Sequence, residues 1–245
     1  MQSLSAANWE YLRELSEAYS PRDPLLAALW RNALAENGQI LRISQHRTVI
    51  KVQAKNDHDV AEWLLKIYHP RRQWEWLRRR FSAAPANREM ENWRLLAHRL
   101  QTPMPIMAEQ LAPALGLFAR PYWSGRKVQE ALNERGEAMQ QLAQGIAHLH
   151  HHRWSDRDLT ADDLMFVDAF DGELIPLDLG HAKVGLIPLS AEKVHLNLER
   201  LMASLPAEWS SELATILLHH HSEERWLKNW SKKKLIDRAQ ALRLK

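Results

Sequence analysis

Acids at Asp158, Asp163 and Asp178 bracket two apolar runs in the stretch WSDRDLTADDLMFVDAFDGELIPLDLGHAK, residues 154–183. Leu164 to Val167 suits a short buried strand, Gly172 offers a turn, and Leu174 to Leu177 starts a second strand ending at Asp178. A carboxylate on a loop can take the proton of a hydroxyl. Magnesium takes hard oxygen ligands, usually one or two carboxylates with phosphate oxygens completing the shell. A proton acceptor beside two hard ligands points to phosphoryl transfer, where the protein positions groups and neutralises charge rather than forming bonds itself. Alone, either D-x-D or D-L-G is an ordinary acidic turn. The order of loop, strand, turn, strand and acid is what joins them.

That order resembles the signature set of protein kinases. Asp156-Arg157-Asp158-Leu159 stands where those enzymes carry H-R-D-L, Asp163 follows Asp158 by five residues where they carry a metal-binding Asn, and Asp178-Leu179-Gly180 is the counterpart of D-F-G. The resemblance implies that Asp158 is the catalytic base and that Asp163 and Asp178 hold metal. Two positions depart from the pattern. Asp156 replaces the His that usually braces the loop, and Asp163 adds a negative charge where Asn is neutral.

Such acids need a partner that holds nucleotide phosphates. Ile40 to Ile43, Thr48 to Val52 and Ala61 to Tyr68 read as three strands, with Asn56-Asp57-His58-Asp59 as a turn. Lys66, flanked by apolar residues on the third strand, is the preferred phosphate-binding lysine, and Lys51 in V-I-K-V is its rival. The first turn, Ser44-Gln45-His46-Arg47, has no glycine, which leaves His46 or Arg47 to meet phosphate. Residues 87 to 100 read as a helix with Met90, Trp93, Ala97 and Leu100 on its apolar stripe. Glu91 on that helix is the expected partner of Lys66, with Glu89 the alternative. Ile106 to Glu109 and Ala114 to Arg120 read as two further strands, and Pro121 to Gly125 as a hinge whose backbone meets adenine.

The remainder is helical in pattern. Residues 5 to 36 suggest helices broken near Ser20-Pro21 and Asp23-Pro24, an appendage with no chemistry of its own. Helices are expected near 126–135, 136–152, 191–205, 208–221 and 223–243. The second carries Met139, Leu142, Ile146 and Leu149 on one face. His148 and His150 to His152, like His219 to His221, sit at helix ends without tetrahedral ligand spacing, so they read as dipole partners rather than metal ligands. The fold expected is α+β and two-lobed: a helical extension at 1–37, a small antiparallel-sheet lobe at 38–121 and a mainly helical lobe at 122–245.

The chain has 245 residues, a net charge of +3 and no cysteine, so disulfide and thiolate chemistry are excluded. No basic segment followed by an apolar core opens the chain, so no signal peptide is expected. The densest charge is PRRQWEWLRRRFS at 70–82, where Arg71, Arg72, Arg78, Arg79 and Arg80 alternate with Trp74 and Trp76. It reads either as a solvated amphipathic helix or as a patch for an anionic membrane surface; no nucleic-acid partner is expected.

Over roughly residues 40–205 the chain resembles the bacterial lipopolysaccharide kinases, the heptose and Kdo kinases of the inner core. The cues are Arg47-Thr48, Leu65-Lys66-Ile67 followed by basic residues, Glu91 with Leu95 and then Pro103, the run AQGIAHLH from Ala143, Arg157-Asp158-Leu159, and Asp178 to Lys183. Heptose kinases also lack Asn five residues after the catalytic Asp. The resemblance implies ATP and magnesium as cofactors, a sugar hydroxyl as acceptor, and a peripheral position at the cytoplasmic face of the inner membrane. Two other functions fit the same residues: a kinase-fold enzyme acting on another small molecule or a protein, and a non-catalytic, membrane-associated pseudokinase.

Overall fold

Alternation of side chains along five strands organises the first part of the chain. The computed structural model describes residues 6–44, 47–55, 60–69, 85–100, 105–112, 115–133, 136–221 and 231–244. The chain divides into two compact units, Met1–Tyr122 and Trp123–Lys245, and the whole is mixed α and β.

In the first unit β1 (Gln39–Ile43), β2 (Arg47–Lys55), β3 (Val60–Tyr68), β4 (Met107–Ala112) and β5 (Leu115–Pro121) form an antiparallel sheet in the order β1-β2-β3-β5-β4. Successive side chains on a strand point to opposite faces. Ile50 and Val52, Leu65 and Ile67, and Leu117 and Ala119 therefore share one face, and all are buried. They pack against Leu12 of α1 (Ala6–Ala18) and against Leu26, Leu29 and Trp30 of α2 (Pro24–Asn32). Asp23 starts α2 by accepting a hydrogen bond from the Leu26 amide at 2.9 Å, with Pro24 in the first turn. Residues 6–37, the described part of the expected N-terminal extension, thus contribute Leu12, Leu26, Leu29, Trp30, Ala33 and Leu34 to the main core of this unit.

Lys66 lies on the other face, in register with Val49 and Phe118. Helix α3 (Pro85–Leu100) covers that side, burying Ala86, Glu89, Asn92, Trp93, Leu96 and Ala97. Gly116 permits the approach: a Cβ there would come within 3.0 Å of the Ala86 Cβ.

The second unit holds two small antiparallel sheets among helices. β6 (Gly125–Lys127), β8 (Leu164–Val167) and β9 (Glu173–Pro176) form one, and β7 (Trp154–Ser155) pairs with β10 (Lys183–Val184) in the other. Helix α4 is Val128–Leu132, so the helix expected from 126 begins as a strand, because Gly125 to Lys127 pair with Val167 to Met165. Helix α5 (Glu137–His151) buries Met139, Leu142, Ile146 and Leu149, the face the pattern indicated. Gly145 lets α5 press on β9, since a Cβ there would meet the Leu174 Cβ at 2.5 Å. Helices α6 (Ala191–Ala203), α7 (Ser210–His220) and α8 (Lys232–Arg243) follow. The Arg243 side chain satisfies the carbonyls of Met202 and Leu205 at the end of α6, at 2.6 and 2.8 Å. Among the described residues no helix is long and apolar enough to cross a membrane.

Candidate active site

In the first unit Lys66 is 3% exposed and Glu89 fully buried, and the two form an ion pair. Glu89 also accepts a hydrogen bond from the Tyr68 hydroxyl, and the Lys66 ammonium lies 5.5 Å from the centre of the Phe118 ring. Lys51 has a different setting: partly exposed, it pairs with Glu62 at 2.7 Å and lies over the Tyr122 ring. Of the two lysines, Lys66 is the one whose acid partner is buried with it. That acid is Glu89, however, and not Glu91. Helix residues three and four apart share a face. The face of α3 that meets the sheet runs through Ala86, Glu89, Trp93 and Leu96, so Glu91 is turned outward and is exposed. The spacing from Ala86 through Glu89 to Trp93 was present in the sequence. Reading the stripe through Met90 and Leu100 displaced it.

In the second unit the acids are gathered by strand pairing. Leu164 stands opposite Pro176 in the β8–β9 ladder, and the Leu177 amide donates to the Asp163 carbonyl at 2.7 Å. Asp163 and Asp178 therefore leave the same end of one hairpin. The β7–β10 pair sets Ser155 against Lys183 and closes the segments carrying Asp156 and Asp178 onto each other. Asp178 Oδ1 accepts from the Gly180 amide at 3.0 Å. Asp163 Oδ2 accepts from the Thr160 amide at 3.1 Å and its hydroxyl at 2.6 Å, which caps the turn Ala161–Asp163. Asp158 is half exposed and lies between two guanidinium groups, Arg157 at 3.1 Å and Arg200 at 3.3 Å.

The loop is braced from beneath. Asp156 is buried, and its Oδ1 accepts from the Asp158 amide at 2.9 Å. Burial pushes its carboxyl above the usual range against that hydrogen bond, and the charges of Asp163 and Asp178 push it further. Asn197, buried on α6, clamps the Asp156 peptide from both sides: its Oδ1 accepts from the Asp156 N–H at 3.3 Å and its amide nitrogen donates to the Asp156 carbonyl. His150 meets the same Asn197 oxygen at 3.2 Å and His221 at 3.0 Å. Burial, and then the neighbouring His221, lower the His150 pKa to about 3, so this imidazole is neutral. In sequence His150 and His221 show only as helix-end histidines, and nothing marks their pairing, Asn197 or Arg200. Their partners lie far along the chain, and no local spacing announces them.

The donor set at Asp163 and Asp178 is hard oxygen, which suits magnesium and not a softer metal. Among the described residues no group of three or more His, Cys, Asp or Glu forms a ready-made metal cage. Magnesium in phosphoryl-transfer sites is commonly completed by substrate phosphates. His46, the turn at 56–59 and the arginine-rich stretch 70–82 lie outside the described residues. No protein-family model matches the chain, and no curated protein matches it.

Proposed function

We propose that this chain is an ATP-dependent phosphotransferase of protein-kinase-like fold, with the first unit as small lobe and the second as large lobe. Its acceptor is a sugar hydroxyl, on heptose or Kdo, of the lipopolysaccharide inner core. It works as a peripheral protein at the cytoplasmic face of the inner membrane. The observation that carries the reading is the Lys66–Glu89 pair. A buried ion pair adds little net stability, because desolvation offsets the attraction. Its placement on the third strand and the covering helix is what a lysine aimed at nucleotide phosphates requires.

The residues then divide the work. Lys66, held by Glu89, contacts the phosphates of ATP. Asp158 receives the acceptor hydroxyl proton as the new oxygen–phosphorus bond forms and the bond from the γ-phosphorus to the bridging oxygen breaks, releasing ADP. Asp163 and Asp178 are the residues that would hold magnesium, which when bound neutralises charge on the transferred group. Arg200 and Arg157 hold the Asp158 carboxylate in place, at 3.3 and 3.1 Å. The choice of acceptor rests on the sequence resemblance over roughly residues 40–205.

A second reading, a non-catalytic, membrane-associated pseudokinase that binds nucleotide, draws on Asp163, whose Oδ2 is already engaged by the Thr160 amide and hydroxyl. Incubation with labelled ATP, magnesium and dephosphorylated lipopolysaccharide separates the two. Label in the glycolipid is the expected result. Nucleotide binding without transfer favours the second reading, and no nucleotide binding overturns both.

A further inference from the structure

The loop between β10 and α6 displays what soluble surfaces usually hide. Leu186 and Ile187 are each 76% exposed, the only adjacent pair of large exposed hydrophobics among the described residues. Pro188 beside them is exposed as well. Scattered exposed leucines need no explanation, but contiguous apolar surface marks a contact site.

This loop is held in place rather than left loose. Val184 and Leu189, on either side of the tip, are buried at 7% and 8% exposure. Gly185 donates its amide to the Arg153 carbonyl at 3.0 Å, and the Arg153 guanidinium donates to the Leu186 carbonyl. Arg153 adopts a left-handed φ of 65°, a conformation that costs a non-glycine residue energy and persists only where its surroundings fix it. Pro188 disfavours helical backbone at Ile187, which narrows what the tip can adopt. Anchors on both sides therefore keep two apolar side chains in water.

The surroundings identify the occupant. Exposed Lys183 and Lys193 flank the tip, against one exposed acid, Glu192, and half-buried Arg153 lies at its base. An apolar point within a mainly cationic surround matches a bilayer with anionic headgroups, the point entering the acyl boundary and the cations staying at headgroup level. A protein partner would more often be met by a broader, aromatic-centred patch.

We propose that Leu186 and Ile187 form a membrane-seating tip of the second unit. The tip is tied to the catalytic loop through the β10–β7 pairing, since β7 runs directly into Asp156 to Asp158. Seating it brings Asp158 to the lipid surface, a consequence that rests on the phosphotransferase reading. The seating itself does not rest on it.

The absence of cysteine makes the test direct. Leu186→Cys is labelled with an environment-sensitive fluorophore and mixed with phosphatidylethanolamine–phosphatidylglycerol vesicles free of glycolipid, and Glu208→Cys, on an exposed position, serves as control. A blue shift with rising emission is expected at 186 and not at 208. At high salt, where charge attraction is screened, Leu186→Ser with Ile187→Ser should cut vesicle sedimentation about fivefold or more. Turnover on a short soluble acceptor should match that of the parent. An unshifted label at 186, or an equal shift at 208, overturns the proposal. So does loss of soluble-acceptor turnover in the double variant, which would place the loop in the acceptor site. A parent protein that shows the shift but transfers no phosphate keeps the tip and overturns only the phosphotransferase reading.

Discussion

Lys66 and Glu89 are withdrawn from water and matched to each other, whereas Asp158, Asp163 and Asp178 stay at least partly exposed. In the first unit the charge is held by its opposite, so position and stability are coupled: moving one partner strands the other in an apolar interior. In the second unit the carboxylates are held by backbone amides, a hydroxyl and surface guanidiniums. Such groups are solvated enough to be exchanged without loss of the fold. The same contrast separates Lys66 from Lys51, whose partly exposed pair with Glu62 stays in contact with solvent and contributes less. Changes at the acids should therefore be read in turnover, and changes at the buried pair in stability.

The sharpest break in that contrast comes from the acids. Asp158→Asn should leave the denaturation midpoint nearly unchanged while turnover falls about 10²- to 10⁴-fold, the usual contribution of a general base. Asp178→Ala should abolish magnesium-dependent nucleotide binding by calorimetry, and Asp163→Asn, which retains an oxygen acceptor for Thr160, should be tolerated. A large loss of stability in either Asp158→Asn or Asp178→Ala would erase the distinction between the two regions. Next, Glu89→Gln should lower unfolding free energy by about 3 kcal/mol in urea titrations by leaving Lys66 buried beside a neutral partner. Lys66→Met combined with Glu89→Leu should recover most of that stability and still bind nucleotide poorly.

Acid extends the test to the brace. His150 is neutral when folded, with a pKa of about 3, against about 6.5 in the unfolded chain. Below pH 6.5 the unfolded state binds the extra proton, so stability falls as pH drops from there toward 3, by about 1.4 kcal/mol per pH unit in the steep part. His195 is shifted the same way, by burial and then by Lys234 and Arg238. Unfolding free energies from urea titrations between pH 7 and 4 should fall with both histidines contributing, offset at the acid end by the raised Asp156 carboxyl, and His150→Gln should remove its share and leave that of His195. The smallest effect belongs to Glu91→Gln, expected within about 0.5 kcal/mol, as for an exposed helix position.

Much of this arrangement was legible in the chain. β2, β3, β8 and β9 carry apolar runs long enough to set their own period, and α5 carries its stripe through Met139 to Leu149. The acids, and Lys66 on the third strand, followed from those elements. β6, β7 and β10 were not legible, because two or three residues have no period and exist as strands only through their distant partners. Glu89 stands in the sequence only as the alternative to Glu91, because a stripe drawn through Met90 and Leu100 shares Trp93 and Ala97 with the buried face but leaves Glu89 beside it. Asn197 and the His150–His221 pair could not be found from spacing. A buried asparagine that clamps a peptide on another element looks, in sequence, like any helical asparagine, and His150 looked like one more imidazole at a helix end.

The bare Gly116 backbone under α3 acts as a gauge block. A methyl group there would work as a shim beneath the first turn of the helix, against Ala86. The Gln110 side chain, 2.8 Å from the added carbon, would swing aside and the first turn would give by a few tenths of an ångström, while Trp93 and Leu96 stay fixed in the interior. Glu89, one turn along, would rise away from Lys66 with no change to either charged residue. The reach of the glutamate is set in part by a glycine on another strand, and a methyl group there would change it by a few tenths of an ångström.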